Sequence, residues 1–134
     1  MTREDFERLV AEAVTLIPAR FRKEMKNLAL IVEEEPGADL LAELEIAPPD
    51  SLYGLYSGTP LPERGWDFGN RLPDRITIFQ RPIEEDCADE DEMRKMIGET
   101  LVHEVGHYFG LSEEEIQDIE ERYWGTFEDP DEGR

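Results

Sequence analysis

The amino-acid sequence predicts an α+β fold in which a small mixed sheet is packed by an N-terminal helix and by a longer helix near the C-terminus. Three observations predict it. Apolar residues recur at helical spacing near the N-terminus and again in residues 91–109. Three short runs rich in β-branched and aromatic residues lie between these segments and are bounded by Gly and Pro. A length of 134 residues is typical of one packed core, so we expect a single domain over residues 1–134.

The N-terminal helix is expected to run from Thr2 to about Ile17 and to pack on the sheet. Thr2 can cap its first turn, and Pro18 ends it because proline cannot continue a helix. Its apolar residues recur every three or four positions and form one stripe, namely Phe6, Leu9, Val10, Ala13, Val14 and Ile17.

The strands are predicted in three places. Residues 28–32 are apolar throughout and predict a central strand. Residues 52–56 predict a second strand, whereas the apolar patch at 40–46 follows no clear period and leaves its secondary structure open. Residues 75–81 alternate and predict a third strand, which could be at the edge or in the centre of the sheet. The segment 57–74, rich in Gly and Pro, predicts a long loop of the kind that is often functional.

Two helices are predicted at the C-terminal end of the chain. After an acidic linker at 84–92, helical spacing predicts a helix from about Asp91 to Phe109, and Gly110 can end it in the left-handed conformation. A last helix is expected from Ser112 to Trp124. It begins with the pattern of a capping box, since Glu115 follows Ser112 by three positions.

The composition excludes several classes of function. The formal net charge is −20, with 34 acidic against 14 basic residues, which argues against nucleic-acid binding. No apolar run is long enough for a transmembrane helix, and the charged N-terminus does not resemble a signal peptide. The single cysteine, Cys87, excludes an intramolecular disulfide and is typical of a reducing cytoplasm. We therefore expect a cytoplasmic protein whose acidity serves solubility or attracts a basic partner or substrate.

The two histidines of the chain are His103 and His107, in the segment His-Glu-Val-Gly-His. Positions i and i+4 share one face of a helix, so both imidazoles can bind one zinc ion. Glu104 falls near the middle of the apolar face, where a carboxylate costs several kcal/mol unless it has a cation or a hydrogen-bonded role. A zinc ion bound by the two histidines supplies the cation. In the alternative reading, the three side chains are ordinary hydrogen-bonded core residues.

A third protein ligand is needed because a catalytic zinc usually has three protein ligands and a water. Glu113 is the first acid after the Gly110 turn, and we predict that it is this ligand. Glu114 and Glu115 are its neighbours with weaker placement. If the ligand comes from farther along the last helix, the candidates are Glu120 and Glu121.

The predicted chemistry is hydrolysis of a peptide by an activated water. Zinc would lower the pKa of its water to about 7, and Glu104 would take the proton as general base and pass it to the leaving amine. Donors for the developing oxyanion are sought among Tyr108, Tyr123 and Arg75. If residues 75–81 form an edge strand, they could bind an extended peptide by strand addition.

The histidine segment resembles the extended signature of zincin metallopeptidases, H-E-x-x-H-x-x-G-x-x followed by a third ligand. Glu113 stands where metzincins usually have His or Asp, and no methionine follows Met96, so the metzincin Met-turn is missing. The chain resembles more closely the small bacterial zincin-like metallopeptidase family, long a domain of unknown function. This resemblance is carried by the histidine motif and by Leu52-Tyr-Gly-Leu-Tyr-Ser-Gly58, Thr59-Pro-Leu61, Leu72-Pro-Asp-Arg-Ile-Thr-Ile-Phe79 and Pro82-Ile83. It implies a minimal zincin-like fold with peptidase activity.

Two other functions remain open at this point. In the first, the metal is structural and the chain is a zinc-stabilised binding module whose loop, with Trp66 and Phe68, contacts a protein. In the second, the enzyme hydrolyses an amide that is not a peptide. Structural zinc sites are usually rich in cysteine, and this one has none and carries a Glu that need not be a ligand. The pattern therefore favours a peptidase acting on peptides or proteins, with basic ones favoured by charge; it does not determine the oligomeric state.

Overall fold

A computed structural model of the chain describes residues 1–47, 51–58 and 74–128, with side chains as far as residue 122. Within these residues the order of elements follows the predicted α+β class. The elements are α1 (Arg3–Val14), α2 (Ala19–Glu24), a 3-10 turn (Met25–Asn27), β1 (Ala29–Glu33), α3 (Ala38–Glu43), β2 (Gly54–Ser57), β3 (Arg75–Phe79), α4 (Gln80–Asp86), α5 (Glu90–Phe109) and α6 (Glu113–Glu128).

The described strands form one mixed sheet in the order β1-β3-β2. β1 pairs with β3 in parallel, and β2 pairs with β3 antiparallel. The prediction that residues 28–32 form a central strand is wrong, because β1 is an edge strand of this sheet; its three inner residues are half-buried and its two end residues are exposed. β3 takes the central place, and its residues from Ile76 to Phe79 are all buried. Residues 75–81 are therefore not an edge strand that could accept a peptide.

α1 confirms the predicted N-terminal helix but is shorter than expected. The Thr2 hydroxyl accepts a hydrogen bond from the Asp5 N–H at 3.0 Å, and the helix ends at Val14, before Pro18. The apolar stripe of α1 packs against α5, and it shares one core with Ile76 and Ile78 of β3. The main packing partner of α1 is therefore α5, and the helix meets the sheet within the shared core. Residues 19–24, which carried no prediction, form α2.

The segment after β3 is also more helical than expected. α4 occupies Gln80–Asp86, so the predicted acidic linker is reduced to residues 87–89. Pro82 is compatible with this helix because it lies in the first turn, where a backbone N–H needs no helical partner. Ile83 is fully buried in the shared core and fixes α4 against α5. The undecided patch at 40–46 lies partly in α3, which ends at Glu43.

α5 and α6 begin and end as the sequence predicts, within a few residues. The Asp89 side chain caps α5 by accepting from the Glu92 N–H at 2.9 Å. Gly110 ends α5 in the left-handed conformation, with φ of 77°. Ser112 and Glu115 form the predicted capping box of α6, through reciprocal hydrogen bonds of 3.1 and 2.9 Å.

The remaining predictions concern the second strand, the long loop and a possible membrane span. The predicted strand at 52–56 is present as β2, Gly54–Ser57. Most of the predicted loop at 57–74, with Trp66 and Phe68, lies outside the described residues. Among the described helices, none combines the length and apolar character that a membrane span requires.

Candidate metal centre

The two histidines lie one turn apart on the last part of α5. Their ring centroids are 4.8 Å apart, and about a third of each side chain is exposed, 34% for His103 and 39% for His107. The i, i+4 spacing places both rings on one face of the helix, as the sequence predicts, and the structure shows that this face is accessible.

Glu113 meets both histidines from the first turn of α6. Its Oε1 atom lies 2.8 Å from Nε2 of His107 and 3.2 Å from Nε2 of His103. The left-handed Gly110 makes this approach possible, since it turns the chain back toward α5 within three residues. The structure thus brings the carboxylate of the predicted third ligand beside Nε2 of both histidines.

Glu104 is buried, with 7% of its surface exposed, on the side of α5 that faces the sheet. Its Oε1 atom accepts a hydrogen bond of 2.7 Å from the Tyr56 N–H of β2 and lies 3.6 Å from Nδ1 of His107. One ligand atom from each of His103, Glu104 and His107 lies within 4.8 Å of the others. These three residues form a group that could bind a metal ion.

The other acids proposed as ligands have different positions. Glu120 Oε1 lies 3.1 Å from His103, but at Nδ1, the ring nitrogen opposite the one that faces Glu113. Glu121 is exposed, and its carboxylate accepts from the Gln117 amide at 3.5 Å. Glu115 caps α6, and Glu114 is exposed beside it. Of the acids named as candidates, Glu113 is the one whose carboxylate lies beside Nε2 of both histidines.

The acids around the histidines change their proton affinities. The pKa of His107 is raised to about 9, first by Glu104 and then by Glu113, against the opposing effect of burial. The pKa of His103 is also raised, chiefly by its hydrogen bond with Glu120. The pKa of Glu113 is lowered, chiefly by its hydrogen bond with His107. The raised pKa values favour the protonated rings, so a metal ion that binds these nitrogens competes with protons.

The donor set fits zinc. Two imidazole nitrogens and one carboxylate oxygen are a common ligand set of catalytic zinc sites. Ligands of a tetrahedral zinc with bonds of about 2.0–2.1 Å stand about 3.3 Å apart. The two distances from Glu113 to the histidine nitrogens, 2.8 and 3.2 Å, are close to that separation.

Comparison with known proteins assigns the chain to a family. The profile of the zincin-like metallopeptidases matches residues 25–123, which contain every described strand and the histidine motif. The chain belongs to the zincin-like metallopeptidase family. A structure of a conserved hypothetical protein from T. thermophilus has a similar fold, with a TM-score of 0.54 and 21% sequence identity over 81% of this chain and 94% of that one. No curated protein gave a significant match.

The contact of β2 with α5 in this zincin-like chain depends on a glycine. A Cβ atom on Gly54 would lie 2.6 Å from the Thr100 methyl carbon and 3.1 Å from the Thr77 carbonyl oxygen. The first distance is shorter than real contacts of a Cβ atom and the second is tight, so a side chain at this position would force β2 and Thr100 apart. The contact places Tyr56 N–H at Glu104, and sequence reasoning missed it. The signal was a glycine inside a predicted strand, which often indicates close backbone approach.

A second glycine allows α6 to lie close to α5. A Cβ atom on Gly106 would lie 2.6 Å from Cγ1 of the buried Ile116. Glycine in a helix interior costs about 1 kcal/mol relative to alanine, so its presence between the two histidines signalled a packing requirement. The close contact brings the N-terminal part of α6, with Glu113 and Glu120, to the histidines.

A cavity of about 370 Å³ opens beside the zincin motif, between the β2 end of the sheet and α5. Its wall includes His103, Glu104 and Glu120 together with Gly54 and Thr100. A substrate in this space would lie next to the predicted base and one predicted ligand.

Two of the three predicted oxyanion donors have described side chains, and neither is grouped with the histidines. Tyr108 is buried in the core, where its ring contacts Tyr56 edge-on at 5.9 Å between centroids. Arg75 begins the central strand with an exposed side chain. The side chain of Tyr123 lies outside the described residues.

Proposed function

We propose that this chain is a zinc-dependent metallopeptidase in which Glu104 acts as general base. The observation that carries the proposal is the position of Glu113 Oε1, within 3.2 Å of Nε2 of both histidines, beside the buried Glu104. Membership of the zincin-like metallopeptidase family supports peptide hydrolysis over the other uses of such a site.

His103, His107 and Glu113 are the residues that would bind zinc. When bound, the ion supplies Lewis-acid chemistry: it polarises the scissile carbonyl and makes the attacking water more acidic. The two imidazoles must present unprotonated Nε2 atoms to it, and the carboxylate adds a negative charge that favours a divalent ion. The absence of cysteine among these ligands argues against a purely structural site.

Glu104 is suited to the role of base by the way in which it is held. The Tyr56 N–H binds Oε1, so the carboxylate has a fixed orientation, and this hydrogen bond leaves Oε2 for another contact. In the proposed reaction, Oε2 accepts a proton from the attacking water, and Glu104 then delivers this proton to the leaving amine. Burial beside the sheet keeps this carboxylate close to His103 and His107.

The substrate is expected to lie in the cavity between β2 and α5. β2 is the outer strand of the described sheet on this side, so an extended peptide could run along it. The net charge of −20, together with Glu99 and Glu120 in the cavity wall, favours basic peptides. Matched basic and acidic peptide pools should differ in kcat/KM, and the difference should shrink as salt screens the charges. Equal rates at low salt would show that the acidity serves solubility alone.

Replacement of Glu104 by Gln tests the mechanism. Gln keeps the shape of the side chain but cannot act as a base, so Glu104→Gln should retain zinc and lose peptide hydrolysis by about 10²–10⁴-fold. Zinc content by elemental analysis and kcat/KM on a peptide pool measure the two effects. Glu7→Gln, an exposed change on α1, controls for the loss of one charge.

Three outcomes would contradict parts of the proposal. Loss of zinc from Glu104→Gln would make Glu104 a ligand. Full turnover with zinc retained would show that another group is the base. Absence of turnover in the zinc-loaded wild type across broad peptide pools would favour the binding-module function instead.

A further inference from the structure

Glu120 contacts the metal centre from the start of the third turn of α6. Its Oε1 atom lies 3.1 Å from Nδ1 of His103, and its side chain is 27% exposed, so the contact is partly shielded from water. This nitrogen is on the opposite side of the ring from Nε2, which faces Glu113 at 3.2 Å. Glu120 and Glu113 therefore contact the same histidine at its two different nitrogens.

The periodicity of α6 explains how both acids reach α5. Glu113, Ile116 and Glu120 are separated by three and four residues, so they share one face of the helix. Ile116 is 1% exposed and lies against Gly106, which orients this face toward α5. The next acid, Glu121, is one position off the face and is exposed.

A carboxylate at Nδ1 determines which ring nitrogen can bind a metal. A neutral imidazole has one N–H donor and one nitrogen with a lone pair, and an ionised carboxylate can only accept a hydrogen bond. Glu120 is engaged at Nδ1 of His103, at 3.1 Å, whereas Glu113 lies closer to His107 Nε2, at 2.8 Å, than to His103 Nε2, at 3.2 Å. This difference favours a neutral His103 ring with its hydrogen on Nδ1 and its lone pair on Nε2. In metal sites generally, such an outer carboxylate fixes both the tautomer and the direction of the ring.

We infer that Glu120 is a positioning residue that holds His103 in the Nδ1–H form and aims its Nε2 at the metal, and that it is not itself a ligand. The inference rests on the metal site of the proposed function. Among the described residues, His107 has no equally close partner at Nδ1, where Glu104 is 3.6 Å away and already bound to the Tyr56 N–H. The Nδ1 atom of His103 is thus held by α6, whereas Nδ1 of His107 has no comparably close acceptor among the described residues.

A series of substitutions at Glu120 tests the inference through zinc affinity. Glu120→Ala removes the acceptor and should weaken zinc binding by about 10–100-fold, the usual effect of losing such a partner. Glu120→Gln keeps an oxygen that can accept the Nδ1–H but loses the charge, so its loss should be smaller. Glu121→Ala is the matched control, since it removes an exposed acid from the same helix and should leave the affinity unchanged. Competition with a chelating dye measures all four proteins.

The ring tautomer of His103 gives a readout that needs no metal. Nitrogen-15 NMR of the metal-free protein, at a pH high enough for the ring to be neutral, should show hydrogen mainly on Nδ1 in the wild type. In Glu120→Ala this preference should fall, while Glu121→Ala should resemble the wild type. A change in overall folding would alter the spectra of residues throughout the chain, whereas the expected effect is confined to His103 and its neighbours.

Two results would overturn the inference. The first is an unchanged tautomer and zinc affinity in Glu120→Ala. The second is an equal, large loss of zinc in Glu120→Ala and Glu120→Gln with the His103 tautomer unchanged, which is the behaviour of a direct ligand. Failure of the proposed metal site would look different, because the wild type itself would then bind no zinc while the tautomer test still applied.

Discussion

Helix α5 is flanked by β2 on one side and by α6 on the other, and these two contacts position different groups of the site. On the β2 side, Gly54 lies against Thr100, and the Tyr56 N–H binds Glu104 at 2.7 Å. On the α6 side, Gly106 lies against Ile116, and two acids of α6 contact the histidines. Each flank uses a glycine for close approach, but one flank holds the proposed base and the other the proposed ligands.

The two flanks differ in the kind of group that orients the site: a backbone N–H on the β2 side and side chains on the α6 side. The base is oriented by a backbone N–H of a strand, which is itself fixed by its pairing with the central strand β3. The ligands are oriented by side chains on a helix that is joined to α5 by a short turn at Gly110. Metal affinity and the rate of the proposed reaction should therefore respond separately to changes on the two flanks. Substitutions on each flank test this separation, from the largest expected effect to the smallest.

Removal of a histidine should have the largest effect. His103→Ala or His107→Ala should abolish tight zinc binding, a loss greater than the roughly 100-fold upper range for an outer partner. The fold should persist, since both side chains are about one-third exposed. Elemental analysis of the purified variants measures zinc, and circular dichroism checks the fold. Full occupancy in both variants would exclude this site.

The same assay separates the candidate third ligands. Glu113→Gln should weaken zinc binding because it removes a charged oxygen from between the two Nε2 atoms. Glu121→Gln should have no effect. The opposite pattern would place the third ligand farther along α6 and remove Glu113 from the centre.

Gly54→Ala should disturb the contact between β2 and α5 without affecting the contact between α5 and α6. The added carbon would approach Thr100 and the Thr77 carbonyl, and overpacking of this kind typically costs about 1–3 kcal/mol of stability. Displacement of β2 moves the Tyr56 N–H from Glu104, so peptide hydrolysis should fall by about 10-fold or more while zinc affinity stays the same. Thr100→Ser removes the clashing methyl carbon but keeps the hydroxyl, and it should restore activity in the double variant. Lost zinc binding in Gly54→Ala would mean that the two flanks are not separable.

Gly106→Ala should instead disturb the contact between α5 and α6 and lower zinc affinity. The new carbon would approach two carbons of the Ile116 side chain, which can partly move aside. A better helix propensity, about 1 kcal/mol, offsets some of the packing cost. We expect a smaller change in thermal stability than for Gly54→Ala, together with a several-fold loss of zinc affinity as α6 shifts. Unchanged zinc affinity would show that the position of α6 tolerates this displacement.

The smallest effect concerns His107, which contacts Glu104 of α5 and Glu113 of α6. Its folded-state pKa is about 9, above the ordinary value of 6.5, so the metal-free protein gains stability from the protonated form below pH 6.5. That contribution should be lost as the pH rises from 6.5 toward 9. With the side chain 39% exposed, solvent screening limits it to less than about 1 kcal/mol.

Thermal unfolding with a chelator present, measured across this pH range, tests the prediction. The wild type should lose more stability than His107→Ala as the pH rises. Equal slopes for the two proteins would show that the contacts with Glu104 and Glu113 do not stabilise the protonated ring.

The sequence by itself determined the features that depend on neighbours along the chain. Helical spacing predicted α5 and α6, Gly110 predicted the turn between them, and the capping box predicted where α6 begins. The same spacing placed Glu104 on the buried face and both histidines on one shared face. Glu113 could be chosen because it lies only six residues from His107, with a single turn between them. Each of these inferences needs only local geometry, which is nearly the same in every helix.

Only the tertiary structure decided the features that join distant parts of the chain. The bond from Tyr56 to Glu104 spans 48 residues, and the contact of Glu120 with His103 spans 17. The order of the strands was also hidden, because an apolar run such as 28–32 can be buried on two faces or lie half-exposed at an edge. Such pairings depend on which surfaces meet when the core packs, and close contacts at Gly54 and Gly106 set the final distances. The sequence therefore named the predicted ligands and base, while packing determined what orients them.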